Sequence, residues 1–178
     1  MHCDRGLCAA LGVMNGASNL TQIRDAVPGD VEAICNLLGE LGFPSSPQEV
    51  RERLGAMQSA VLVAVNQDAV VGVITTAIMS VLHRPRPVGR LSALVVSKQE
   101  RGKGVGSALV SAAEKMLMQR GCGLIEVTSN FRLEEAHSFY KRIGYEATSY
   151  RFKKELSGAQ SSVPPDVPAA ASRRQGGG

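Results

Sequence analysis

Apolar positions recur along this chain with two periods, and the changes of period mark out its elements. Gln22 to Val27 reads as a short strand, and Pro28 then suits the first turn of a helix. Val31, Ile34, Cys35, Leu38 and Leu41 fall at helical spacing until Gly42 and Pro44 end the run. A second helix begins at Pro47, with Val50 and Leu54 inward. Two β-rich runs follow, Ala60 to Val65 and Ala69 to Val81, joined by Asn66-Gln67-Asp68 as a hairpin turn. His83-Arg84-Pro85-Arg86-Pro87 breaks the alternation, and Leu91 to Val96 resumes it.

The best-defined element comes next. Val105, Ala108, Leu109, Ala112, Ala113, Met116 and Leu117 line one face of a long helix that Gly121 stops. Leu124 to Thr128 is a short strand. Leu133 to Ile143 is a helix with Glu134 and Glu135 first, Lys141 and Arg142 last, and Gly144 as its cap. Tyr145 to Leu156 closes the pattern as further strand material. Helices inserted singly between strands predict an α/β fold with one mixed sheet covered on its faces.

Composition sets the boundaries. Ser157 to Gly178 is rich in Ser, Pro, Ala and Gly without apolar periodicity, which predicts a disordered tail. Residues 1–20 read as a loosely attached extension, leaving 21–156 as one folded domain. The 178 residues suffice for a single core without disulfides or structural metal. Cys3, Cys8, Cys35 and Cys122 form no CxxC pair, which argues against a zinc ribbon or a dithiol redox site. No apolar run approaches a membrane span, and the N-terminus reads poorly as a signal peptide, so a cytoplasmic protein is expected. The net charge of +4 invites a nucleic-acid reading. With three Tyr, four Phe and no Trp, a base-stacking platform is poorly supported.

Chemistry concentrates in VVSKQERGKGVGSALV, residues 95 to 110. A β-branched strand enters Arg101-Gly102-Lys103-Gly104-Val105-Gly106, and the long helix starts at once. Glycines let backbone approach a bulky ligand, and the amides of Val105, Gly106 and Ser107 begin the helix as free donors. With Arg101 and Lys103 beside them, they suit a pyrophosphate. The loop is neither GxxxxGK[ST] nor GxGxxG, so neither a Walker A loop nor a dinucleotide fingerprint fits.

Arg101-x-x-Gly104-x-Gly106 resembles the R/QxxGxG/A signature of the GNAT superfamily of N-acetyltransferases, and SNFRLEEAHSFYKRIGY, residues 129 to 145, resembles its second signature. The resemblance runs from about Ile23 to Leu156. It implies a six- or seven-stranded, mostly antiparallel mixed sheet whose middle strands splay to admit the pantetheine of acetyl-CoA. It further implies that Leu94, Val95 and Val96 pair with that arm, with the Val95 amide polarising the thioester. Asn130 would hydrogen-bond near the pantetheine, and Tyr140 would protonate the departing thiolate. The acceptor would be an amine attacking directly in a ternary complex, without a metal, and a homodimer is compatible with the family.

A base is harder to assign. An amine of pKa near ~10.4 must shed a proton at a cost of roughly 4–5 kcal/mol at pH 7. Many relatives carry a Glu where this chain has Ser92. Glu126, acting through water, and His83 are the candidates. Without a base, an acetyl-CoA-binding module lacking transfer activity is the alternative. Arg84 and Arg86 hint at an acidic or phosphorylated acceptor.

Overall fold

The computed structural model describes residues 21–57 and 60–156. Cys3, Cys8, the N-terminal extension and the tail from Ser157 lie outside the described residues. Five strands form one open sheet in the order β1-β2-β3-β4-β5: Gln22–Asp25, Val61–Asn66, Ala69–Met79, Val88–Val96 and Leu124–Val127. Neighbours are antiparallel except β4 and β5, which run parallel. Four helices cover the sheet: α1 (Val31–Leu41), α2 (Pro47–Ala56), α3 (Val105–Gln119) and α4 (Glu134–Arg142).

Alternation along each strand divides the core between two faces. Val63, Val73 and Val95 point to one side, where they join Val31, Ile34 and Leu37 of α1 and Val50 of α2. Leu62, Ala64, Ile74 and Leu91 point to the other, against Val105, Leu109, Val110, Ala113 and Leu117 of α3. Phe139, Ile143 and Tyr145 extend this second cluster. The apolar stripe residues read from sequence are buried or partly buried, and Leu37 and Val110, which lay on neither stripe as read, are buried with them.

The turn after β2 is tight because Gln67 and Asp68 both adopt positive φ (48° and 66°), a geometry that matches the twist of the hairpin strands. Pro28 opens a single 3-10 turn, Pro28–Asp30, that runs straight into α1. Its buried Asp30 binds both guanidinium nitrogens of Arg24 at 2.7 and 2.9 Å and accepts the Val27 amide at 2.8 Å.

Three expectations are corrected. The described residues hold five strands rather than six or seven, and the expected closing strand, Tyr145 to Leu156, is absent. Tyr145 is anchored, its hydroxyl donating to Glu114 of α3 at 2.8 Å. Every residue from Glu146 to Leu156 is exposed, with Tyr150 and Phe152 above 90%. Alternating aromatics favour a strand only where they pair with a neighbour, and this segment pairs with no strand of the described residues. Strand β4, conversely, begins at Val88 rather than Leu91, because pairing with Met79, Ile78 and Ala77 of β3 recruits Val88, Gly89 and Arg90.

Candidate active site

Strands β4 and β5 pair from Val88↔Leu124 to Leu91↔Val127 and then part. Beyond that point β4 runs on from Ser92 to Val96, about 16 Å, with no strand of the described residues on its β5 side. A bulge sits at the vertex. Thr75 faces Ala93 while Thr76 faces Leu91, so Ser92 is the extra residue. Its hydroxyl lies 2.9 Å from that of Thr75 and also donates to the Thr75 carbonyl at 3.2 Å.

Above the bulge the ladder is regular, and one hydrogen bond fixes which way each peptide points. The Ser97 amide donates to the Val71 carbonyl at 2.9 Å. By antiparallel alternation, Val95 and Ala93 then also turn their backbone groups toward β3. A Cβ placed on Gly72 of β3 would lie 3.2 Å from the Val95 carbonyl oxygen, as that orientation requires. The amides of Leu94 and Val96 therefore face the open gap. The Val95 amide, expected to polarise a thioester, is turned away from it.

At the mouth of the gap Gly104 caps α3 with φ +87° and no side-chain cap. The first helical bond runs from the Ala108 amide to the Gly104 carbonyl at 3.0 Å. The amides of Val105, Gly106 and Ser107 thus have no partner among the described residues. A Cβ on Gly102 or Gly104 would meet nothing within 4 Å, so the space above the loop is open. These amides and the adjoining strand edge fit the pyrophosphate and pantetheine of acetyl-CoA respectively.

The two loop cations are already engaged. Arg101 Nε donates to the Val96 carbonyl at 3.1 Å, and its guanidinium lies 3.8 Å from Glu40 of α1. Lys103 pairs with Glu100 at 2.9 Å, which holds the Glu100 carboxyl below the usual range. Free donors for a phosphate are first of all the three backbone amides.

Tyr140 lies on the α3 side of the sheet, edge-on to Phe139 and Tyr145 with ring centroids 5.2 and 5.6 Å away. Gly144, at φ +94°, produces this cluster: the chain reverses so that the Tyr145 amide bonds the Tyr140 carbonyl at 2.9 Å. Burial raises the Tyr140 phenol above its ordinary pKa, so it is a held proton. Its hydroxyl has no hydrogen-bond partner among the described residues. Asn130 lies in the turn that leads into α4: its side-chain oxygen accepts the Arg132 amide at 3.0 Å, leaving its NH2 group without a partner among the described residues.

The candidate bases separate. Ile125 and Val127 face α3, so Glu126 projects from the opposite face of β5, one residue below the vertex, and its carboxylate is held by Arg90 Nε at 2.8 Å. His83 lies between β3 and β4, at the sheet end remote from the glycine loop, and is not brought to the other candidates. Sequence reasoning missed Arg90. Only the parallel register Arg90↔Glu126 reveals the pair. Cys122 is buried and Cys35 half-buried, its thiol pushed up chiefly by burial.

Residues 42–158 match the family model described as an acetyltransferase (GNAT) domain. The chain belongs to the GNAT acetyltransferase family. The family uses acetyl-CoA as its co-substrate, which accords with the donors at the start of α3. Over 50 residues the chain is 40% identical to the aminoalkylphosphonate N-acetyltransferase of Salmonella typhimurium, a match covering 28% of this chain and 32% of that protein. The match thus spans about a third of that relative's length. An acetyltransferase from Trypanosoma brucei superposes with TM-score 0.66 at 26% identity, over 76% of this GNAT chain and 99% of that one. Glucosamine-6-phosphate N-acetyltransferase from Arabidopsis thaliana shares the fold with TM-score 0.69 at 20% identity, over 77% and 99%. Among the described residues no helix is long and apolar enough to cross a membrane.

Proposed function

We propose that this protein transfers the acetyl group of acetyl-CoA to a primary amine by direct attack within a ternary complex. The observation that carries the reading is a continuity. Among the described residues, three unpaired amides at the start of α3 lead into a strand edge, Leu94 to Val96, that pairs with no other strand. Its Val96 carbonyl alone is taken, by Arg101, and the edge ends at the vertex between β4 and β5. In this reading the pyrophosphate takes the amides of Val105, Gly106 and Ser107, with Gly102, Lys103 and Gly104 around it. The pantetheine lies along Leu94 and Val96, with the Asn130 side chain as its further hydrogen-bond partner. The amide that polarises the thioester carbonyl is then that of Leu94, the gap-facing donor nearer the vertex.

The amine loses its proton to Glu126 through water and forms the C–N bond as the C–S bond breaks. Tyr140, on the opposite face, gives its proton to the departing thiolate and recovers one from solvent. A thiol of pKa near ~8.5 leaves tolerably well, so the acid contribution is modest. No cysteine lies in either signature segment, which supports direct attack over an acetyl-enzyme.

The relative that acetylates aminoalkylphosphonates supports an amine acceptor. The test is amine-dependent release of free thiol from acetyl-CoA, with the acetylated amine identified by mass spectrometry. Product from at least one amine is expected. Cofactor binding without product from any amine in a panel of monoamines, amino acids, aminophosphonates, amino sugars and polyamines would leave a binding module instead.

A further inference from the structure

The pair Arg90–Glu126 occupies a place that structural needs do not explain. Arg90 and Glu126 are opposite one another in the parallel register, immediately below the last pair, Leu91↔Val127. Leu91, Ile125 and Val127 all face α3, so both charged side chains project on the other face. That is the face covered by α1 and α2 farther along the sheet, but here the two side chains remain 40% and 38% exposed. Ser92 and Thr75 place their hydroxyls on the same face beside them. The uncovered patch carries one cation, one carboxylate and two hydroxyls, all within a residue or two of the point where the strands part.

That position limits what the patch can meet. A thioester entering along the strand gap must stop where β4 and β5 are still hydrogen-bonded, at Leu91 and Val127. The attacking amine then arrives from the side opposite Tyr140, over Ser92, Arg90 and Glu126. Resting on the acetyl-transfer reading given above, we propose that this ion pair is the acceptor-recognition element and that it selects a zwitterion: a small molecule carrying both a primary amine and an acid group, carboxylate or phosphonate. The acid group takes the Arg90 fork and the ammonium faces Glu126 across the water that relays its proton, so the substrate exchanges one ion pair for two of the same polarity. An exposed ion pair contributes little to stability, so opening it costs little. The exchange also frees the Glu126 carboxylate from Arg90 and turns it toward the ammonium proton. Only a zwitterion does both, because a plain alkylamine leaves Arg90 holding Glu126.

The experiment compares kcat/KM for 2-aminoethylphosphonate, β-alanine and propylamine at saturating acetyl-CoA. The zwitterions should be preferred by about tenfold or more, the range of a hydrogen bond to a charged group. Arg90→Met should bring that ratio near one, chiefly through KM of the zwitterions, whereas Arg90→Lys should restore part of it. The melting shift produced by acetyl-CoA checks that each variant is folded and cofactor-competent. Equal use of all three amines by the wild type overturns the proposal while leaving acetyl transfer intact. So does an Arg90→Met variant that melts lower but keeps the preference, since the pair would then only tie β4 to β5. Cofactor binding without transfer to any amine overturns the acetyl-transfer reading and this proposal with it.

Discussion

The guanidinium of Arg101 folds back onto the end of β4, donating from Nε to the Val96 carbonyl at 3.1 Å while approaching Glu40 of α1 at 3.8 Å. Glu40 also accepts the Lys98 amide at 3.0 Å. One arginine thereby ties the end of β4, the turn after it and α1 together, where the glycine loop begins. Arg101→Met should loosen this junction and weaken acetyl-CoA binding by about tenfold, the loss expected for a hydrogen bond to a charged group. Calorimetric titration with CoA checks it. An unchanged affinity would mean that the loop holds its shape without the arginine.

Gly104 is required for its backbone, since a Cβ there would meet no protein atom within 4 Å. Its φ of +87° is a conformation that costs an L-residue about 1–2 kcal/mol. Gly104→Val should therefore lower stability by about that amount. It should abolish the melting shift caused by acetyl-CoA, because the new side chain fills the space a phosphate needs. Thermal scans with and without cofactor separate the two effects. A preserved shift would reduce the loop to a simple turn.

The Arg24–Asp30 pair gives the fold an acid-sensitive joint. Hydrogen bonding from Arg24 comes first in lowering the Asp30 pKa, against the opposing effect of its burial. A carboxyl depressed on folding contributes stability that is complete above its unfolded pKa of about 3.9 and is lost as the pH falls through the lower folded value. Asp30→Asn should cost about 1–3 kcal/mol at neutral pH, with the penalty shrinking toward acid. Denaturant melts between neutral pH and pH 3 report this. A penalty independent of pH would show that the pair is not the acid-sensitive element.

Much of this was legible in the sequence, for identifiable reasons. The apolar stripe of α3 is strong enough to stand without tertiary information: Val105, Leu109, Ala113 and Leu117 are buried as read, Ala108, Ala112 and Met116 are partly buried, and Val110 joins them unread. Gly-rich, basic sequence between a strand and that helix is the pattern expected of an anion site. The side-chain pattern cannot say where a backbone amide points, because that depends on the ladder and on the bulge at Ser92. The gap-facing amides of Leu94 and Val96 therefore emerged only from the register. Arg90–Glu126 is likewise a product of parallel pairing between residues far apart in the chain. Strand propensity in Tyr150 and Phe152 misled because propensity alone does not fix pairing: the segment pairs with no strand of the described residues and both rings are exposed.

Tyr140 tests the central claim most directly, through turnover and melting temperature measured together on Tyr140→Phe and Tyr140→Ala. The phenol is protonated, lacks a partner among the described residues, and is flanked by Phe139 and Tyr145, which fix its ring. If it protonates the departing thiolate, Tyr140→Phe should lower kcat about 10²-fold, the lower end for general acid catalysis, with cofactor affinity and melting temperature nearly unchanged. Tyr140→Ala should lose the same activity and in addition about 3 kcal/mol of stability. A Phe variant that turns over acetyl-CoA and amine at the wild-type rate would contradict the account, leaving Tyr140 as a packing residue beside the gap.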